Sequence, residues 1–215
     1  THAYFPPFEY KIGDNYYGID MEIADLLAEE MGMELVIVDM EFKELLPAVA
    51  NGEADIIMSG LTMKEERKEY VDFTDTYYEA SQKLIVRSDE DMFDKCKTAD
   101  EVLAKLRTLT MSSNVGYLIG TTGGMYVNGD EDWGYEGFSN IEGKGYLTGQ
   151  EAMMDLANGN IYAVIIDEAP ARALLGSNSP WAEKISVFIG TMQSAYFREL
   201  LLLGLVNTVK VAVFG

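Results

Sequence analysis

One cysteine, Cys96, and one histidine, His2, occur among 215 residues. A lone cysteine excludes an internal disulfide and a thiolate metal cluster. A lone histidine at the very start excludes Ser-His-Asp and Cys-His catalysis and most zinc sites. Any chemistry must come from carboxylates, Arg, Lys, Tyr or hydroxyls. Basic residues are also scarce, with 16 Lys plus Arg against 36 Asp plus Glu and a formal charge of -20. Such a surface repels phosphates and anionic lipid, so a nucleic-acid partner is excluded. No apolar run reaches the roughly 18 residues that read as a membrane span. The nearest, Leu200 to Phe214, is interrupted by Asn207 and Lys210. No secretory leader stands at Thr1, and the chain reads as a mature or trimmed form.

What is present suits a folded protein. Hydrophobic residues make up 48% and charged residues 24%, enough to bury a core. The length fits one large domain or two small lobes. Apolar residues at helical spacing predict a helix over Ile19–Met31, ended by Gly32. Glu34–Met40 reads as a strand, Glu44–Ala50 as a helix closed by Asn51-Gly52, and Ala54–Ser59 as a buried strand. Ser81–Arg87 reads as a strand able to carry the chain between lobes. Helices are expected over Thr98–Leu106 and Thr148–Ala157, and a strand over Val115–Ile119. Asp130–Gly145, rich in Gly, acids and aromatics, reads as a loop. The alternation argues for an α/β fold with parallel sheets.

A weak internal repeat aligns Ala50–Ser59 with Ala157–Ile166. Each copy is a helix end, an Asn-Gly turn and an apolar strand. Two related lobes would produce it, and so would a commonplace local solution. If the lobes are related, Ser59-Gly60 and Ile166-Asp167 are equivalent strand ends, where ligands of open parallel sheets bind.

Three clusters could carry chemistry. Thr62 followed by Glu65 has capping-box spacing and predicts a helix start with outward N–H groups. Arg67, about one turn on, could add a bidentate fork for a carboxylate. Read alone, the same residues are a capped surface helix with a solvated arginine. Gly120-Thr121-Thr122-Gly123-Gly124 follows a strand and could cradle an anion, or be an ordinary turn. Asp167 closes a strand, where it could pair with an ammonium group or cap the next helix. Phe5, Phe8, Tyr10, Tyr16, Tyr17 and Phe42 enrich the N-terminal region in aromatics, suited to core packing or to a small organic ligand.

In this order, Pro7-Phe8-Glu9-Tyr10, Gly18-Ile19-Asp20-Met21-Glu22-Ile23-Ala24, Ser59-Gly60-Leu61-Thr62 with Arg67, Val71-Asp72-Phe73-Thr74, Gly120-Thr121-Thr122-Gly123 and Val164-Ile165-Ile166-Asp167 form an ordered set. The set resembles the amino-acid-binding family of bacterial solute-binding proteins, the extracellular receptors of ABC importers. The resemblance implies a periplasmic-binding-protein-like II fold, two α/β lobes with a ligand cleft between them. It implies that Arg67 grips a ligand α-carboxylate with Ser59, Gly60 and Thr62 beside it. Thr121 and Thr122 would be donors from the second lobe, Asp167 the acid for the α-ammonium, and Phe5 and Phe42 an aromatic sandwich. Neither a cofactor, a metal nor catalysis is implied. The expected partners are a free amino acid with a polar or basic side chain and an ABC transporter permease. The expected location is extracellular or periplasmic, tethered to the outer face of the cytoplasmic membrane. The same fold also serves cyclohexadienyl dehydratases and the sensing domains of receptors, which stand as alternatives.

The chain also departs from the family. A strand normally precedes the Phe5 region, so strand exchange between two chains is one way to complete the first lobe. Phe197–Lys210 is too apolar for the usual tail and resembles the first membrane helix of an importer permease as much as a packed amphipathic helix. The expected division is residues 1–84 as lobe 1 without its first strand, 85–185 as lobe 2, and 186–215 as a return crossover or the start of a fused permease.

Overall fold

The computed structural model describes residues 1–175 and the strand segments Ile185–Phe188, Thr208–Val209 and Ala212–Val213. The chain divides into two compact units, Thr1–Glu79 with Thr208–Gly215, and Ala80–Asn207.

Unit 1 opens with a three-stranded antiparallel meander, β1 (Tyr4–Phe5), β2 (Glu9–Ile12) and β3 (Asn15–Tyr17). Helix α1 follows over Ile19–Met31, and Gly32 ends it in the left-handed conformation at φ 65°, as only glycine does without strain. Helix α2 spans Phe42–Ala50 and buries Leu45, Ala48 and Val49. Strand β4 (Ile56–Ile57) comes next, then a four-residue helix α3 (Glu65–Lys68) and strands β5 (Asp72–Phe73) and β6 (Tyr78–Glu79). The core holds Leu45, Val49, Ile57, Leu61 and Val71, with a satellite of Met21, Ala24 and Met58.

The strand expected over Glu34–Met40 enters no ladder. Its side chains do alternate: Leu35 and Ile37 pack on the Met21 satellite, while Val36 and Val38 face solvent. Its backbone bonds go to the first two residues: the Thr1 ammonium donates to the Val38 carbonyl, the Thr1 carbonyl accepts from the Met40 N–H, and His2 Nδ1 meets the Met40 carbonyl at 3.0 Å. The Ala3 N–H donates to the Asp39 side chain, and these bonds hold the segment without building a ladder.

Unit 2 is a five-stranded sheet with β7 (Gln82–Arg87), β8 (Asn114–Leu118), β9 (Glu142–Tyr146), β10 (Ala163–Asp167) and β11 (Ile185–Phe188) in the order β11-β7-β10-β8-β9. Strands β8, β9 and β10 are parallel, and β7 runs antiparallel to β10 and β11. All five residues of β10 are buried, as expected of a central strand covered on both faces. Ala163 and Ile165 join a cluster with Val102 and Leu106 of helix α4 (Ala99–Leu106) and with Tyr126 and Val127 of helix α5 (Thr122–Asn128). Ile166 points to the other face, beside Gly149 of helix α6 (Gly149–Ala157). Helix α7 (Glu168–Leu174) follows β10 directly.

Helix starts are of two kinds, and α5 and α7 of unit 2 are among those without a side-chain cap. Thr98 and Thr148 each accept from the N–H three residues on, and Glu101 and Glu151 reciprocate, so α4 and α6 carry full capping boxes. In unit 1, α1, α2 and α3 have no side-chain cap.

Other expectations need correction. The loop expected over Asp130–Gly145 contains most of β9, where Gly143 and Gly145 let the strand pass under Tyr117 and Ile119. The expected cap at Thr62 is absent, because α3 begins after Lys64. Most of Phe197–Lys210 lies outside the described residues. Thr208–Val209 forms strand β12 beside β6, and Ala212–Val213 forms strand β13 between β4 and β5. Among the described residues no helix is long and apolar enough to cross a membrane.

Candidate functional site

In unit 1 the site residues gather where the chain leaves β4. Gly60 takes φ 55°, a turn that places Ser59, Gly60, Leu61 and Thr62 against the body of the unit. Ser59 Oγ donates to Glu9 Oε1 at 2.9 Å and accepts from the His2 N–H at 3.1 Å. The Gly60 N–H donates to Asp20 Oδ2 at 3.0 Å, and Tyr77 donates to Asp20 Oδ1 at 2.9 Å. Glu9 and Asp20 are both buried, and Glu9 Oε2 has no hydrogen-bond partner. Burial, then the Asp20 charge, raises the Glu9 carboxyl well above its ordinary value. Burial also raises Asp20, against bonds from Gly60 and Tyr77. Asp20 accepts from the Gly60 N–H and from Tyr77, and so holds the turn at Gly60.

Arg67 is buried on α3, and its Nη1 donates to the Thr62 carbonyl at 2.7 Å. The guanidinium is thus folded back along the turn it follows, a rigid placement for a planar cation. With α3 only four residues long and starting beyond Thr62, a helix-terminus cradle is not part of this geometry. The structure brings Ser59, Gly60, Thr62 and Arg67 onto one turn. Phe5 stacks on Phe8 at 6.0 Å between centroids, and Phe42 meets His2 edge-on at 6.5 Å.

In unit 2 the site residues gather at the carboxyl end of β10. Asp167 is its last residue and is buried. Gln82, at the start of β7 and directly opposite in register, reaches across. Its Nε2 donates to Asp167 Oδ1 at 2.7 Å and to Thr122 Oγ1 at 2.7 Å. Burial pushes Asp167 up to about 7, against the Gln82 bond and a backbone bond. Among the described residues no cation lies against it. The adjacent cations serve its neighbour instead: Lys83 and Arg172 both pair with Glu168, at 3.0 and 2.6 Å.

Thr121 precedes α5, and its N–H and hydroxyl both donate to the Leu118 carbonyl. Thr122 is buried beside Gln82. The Gly-rich run has a packing cause. A Cβ on Gly123 would stand 2.5 Å from the Ile165 carbonyl oxygen, so only glycine lets α5 lie this close to β10. Thr122 and Asp167 are brought together, and Gln82 is the link.

Sequence reasoning missed the supporting residues. Glu9 and Asp20 stood in the quoted motifs without a role, and Gln82 had none at all. The available signal for Gln82 was a neutral amide at the head of a strand whose centre, Leu84–Val86, is apolar. A shallow depression near Glu22, Leu26, Met33 and Leu35 holds none of these residues. Among the described residues no cluster of three or more His, Cys, Asp or Glu could hold a metal ion.

Comparisons with known proteins give one answer. Residues 1–196 match the model of bacterial extracellular solute-binding proteins, family 3. The chain is 43% identical to the arginine-binding extracellular protein ArtP of Bacillus subtilis over 89 residues, 41% of this chain and 35% of that protein. It is 31% identical to the L-arginine-binding protein of Pseudomonas aeruginosa over 166 residues, 77% of this chain and 58% of that protein. It therefore spans a third to under two thirds of the length of these relatives. Arginine-bound ArgBP from T. maritima, in a mutant form, superposes with TM-score 0.76 at 30% identity, over 99% of this chain and 84% of that one. The α/β fold is therefore that of the type II periplasmic binding proteins.

Proposed function

Because the chain belongs to the bacterial extracellular solute-binding proteins, family 3, we propose that it captures a free amino acid and delivers it to an ABC importer. The observation that carries this reading is Asp167, a buried carboxyl at a strand end with no described cation against it. A buried carboxylate needs a charge partner, and a ligand α-ammonium is one. Arg67 on the Thr62 turn is the matching cation for an α-carboxylate, through the bidentate geometry of guanidinium. Ser59, Gly60 and Thr62 flank it; in unit 2 Thr122 is the donor, whereas Thr121, expected beside it, gives both its N–H and its hydroxyl to the Leu118 carbonyl. Phe5 and Phe42 bracket the ligand side chain. Closure of the units on the ligand is the step this reading requires.

A basic or polar side chain is the class proposed, since relatives named for arginine and for histidine are among those matched. The working location is outside the cytoplasmic membrane, with the protein tethered to its outer face. Calorimetry against the common free amino acids tests the proposal. Wild type should bind at least one basic amino acid, and Arg67→Ala should weaken it by at least 100-fold. Unchanged affinity in the variant would remove Arg67 from the site.

A further inference from the structure

Gln82 is 1% exposed and sits at the head of the strand that opens unit 2. Its amide has two N–H donors, and both have a named acceptor, Thr122 Oγ1 and Asp167 Oδ1, each at 2.7 Å. Its Oε1 is buried with no partner. An unpaired buried acceptor is costly, so this orientation of the amide is held by what the two donors do. The acceptors lie 40 and 85 residues away in the chain, and both belong to the set assigned above to the ligand.

Two consequences follow from the donor directions. A donor aimed at a carboxyl favours its ionised form, so Gln82 works against the burial of Asp167. A hydroxyl oxygen that accepts from Gln82 leaves its own proton for another acceptor, so Thr122 becomes a donor.

The groups facing Asp167 leave this role to Gln82. On β7, Lys83 is paired with Glu168, and Arg87 with Asp89. On α7, Glu168 takes both Lys83 and Arg172. On α6, Asp155 is paired with Lys144, and Glu151 closes the cap at Thr148. Tyr117 lies on β8. Tyr126 of α5 feels the Asp167 charge and is held neutral by burial and by Tyr135 and Asp167.

The geometry points to Gln82 as a positioning residue that keeps Asp167 able to ionise and sets Thr122 as a donor, so that capture of an ammonium group is coupled to release of a proton. This rests on the assignment of Asp167 to an amino acid's ammonium. It adds a residue and a linkage that the assignment lacks.

The test measures L-arginine affinity by calorimetry from pH 5.5 to 8.5, in buffers of different ionisation enthalpy, for wild type, Gln82→Met and Gln82→Glu. Carbon-13 titration of the Asp167 carboxyl is followed in the same ligand-free proteins. Wild-type affinity should weaken toward tenfold per unit below about pH 7, with close to one proton released on binding in that range. Gln82→Met keeps the volume and removes both donors. Its Asp167 midpoint should move up by about one unit, with affinity at pH 7 down about fivefold and largely recovered at pH 8.5. Gln82→Glu should move the midpoint further, because two carboxyls then share the site. A loss of affinity equal at every pH, or an Asp167 midpoint unchanged in both variants, would overturn the proposal. If wild type bound no amino acid, the function proposed above would fail, and the carboxyl titration would still decide the effect of Gln82 on Asp167.

Discussion

In unit 2, α6 ends at Asn158, turns at Gly159 and feeds the five-residue strand β10. In unit 1, α2 ends at Asn51, turns at Gly52 and feeds β4, a strand of two residues. The two passages share Ala-Asn-Gly and an apolar run after it, so the local signal is similar. What differs is the neighbourhood. Strand β10 lies between β7 and β8 and has helices packed on it, whereas β4 has α2 packed on it and, among the described residues, pairs with β13 alone. Glu34–Met40 is the extreme case: strand-like alternation held by bonds to Thr1, His2 and Ala3 with no ladder. A β-branched run sets an extended backbone, and partners from distant parts of the chain decide how much ladder forms.

The contrast in packing gives the largest expected effect. Ile165 and Met58 occupy matching positions in the two passages. Ile165 sits in the large core of unit 2 and Met58 in a three-residue satellite. Ile165→Ala should destabilise unit 2 by about 4 kcal/mol, and Met58→Ala should destabilise unit 1 by about 2 kcal/mol, read by urea denaturation with a probe in each unit. Equal losses would mean that the two passages are equally supported.

A smaller effect separates the buried carboxyls. Asp167 in unit 2 is raised to about 7, and Glu9 in unit 1 is raised well above its ordinary value. In both, the folded protein binds a proton that the unfolded chain releases near pH 4. The part of the stability that these two groups contribute should therefore be full at about pH 4 and be lost as pH rises, by up to about 1.4 kcal/mol per unit for each group while it titrates. Asp167→Asn should flatten the fall between about pH 4 and pH 7 for unit 2, and Glu9→Gln should flatten it for unit 1. Thermal melts across that range check both. If stability rose with pH in this range, the proton assignment would be reversed.

How much of this was legible depended on distance along the chain. Helix α1 was read with both its ends, because Gly32 and the apolar spacing from Ile19 are local signals. Strands β7, β8 and β10 were read to within a residue or two, because each has buried apolar residues at its centre. Strand β9 was not, because Glu142-Gly143-Lys144-Gly145-Tyr146 has glycines where a strand usually carries apolar side chains. Their reason, close passage under Tyr117 and Ile119, is a tertiary fact. The supposed cap at Thr62 failed because the helix begins two residues later, with Lys64 in the cap position. The Gln82 link joins residues 40 and 85 positions apart, and no window on the sequence contains it.

The central claim is that the two ends of one amino acid are read separately, the carboxylate by the Arg67 turn of unit 1 and the ammonium by Asp167 of unit 2. Calorimetric titration with L-arginine, its methyl ester and its Nα-acetyl derivative tests that claim most directly. The account predicts that each blocked compound binds at least 100-fold more weakly than the free amino acid. A methyl ester or an acetyl derivative that kept the affinity of arginine would contradict it.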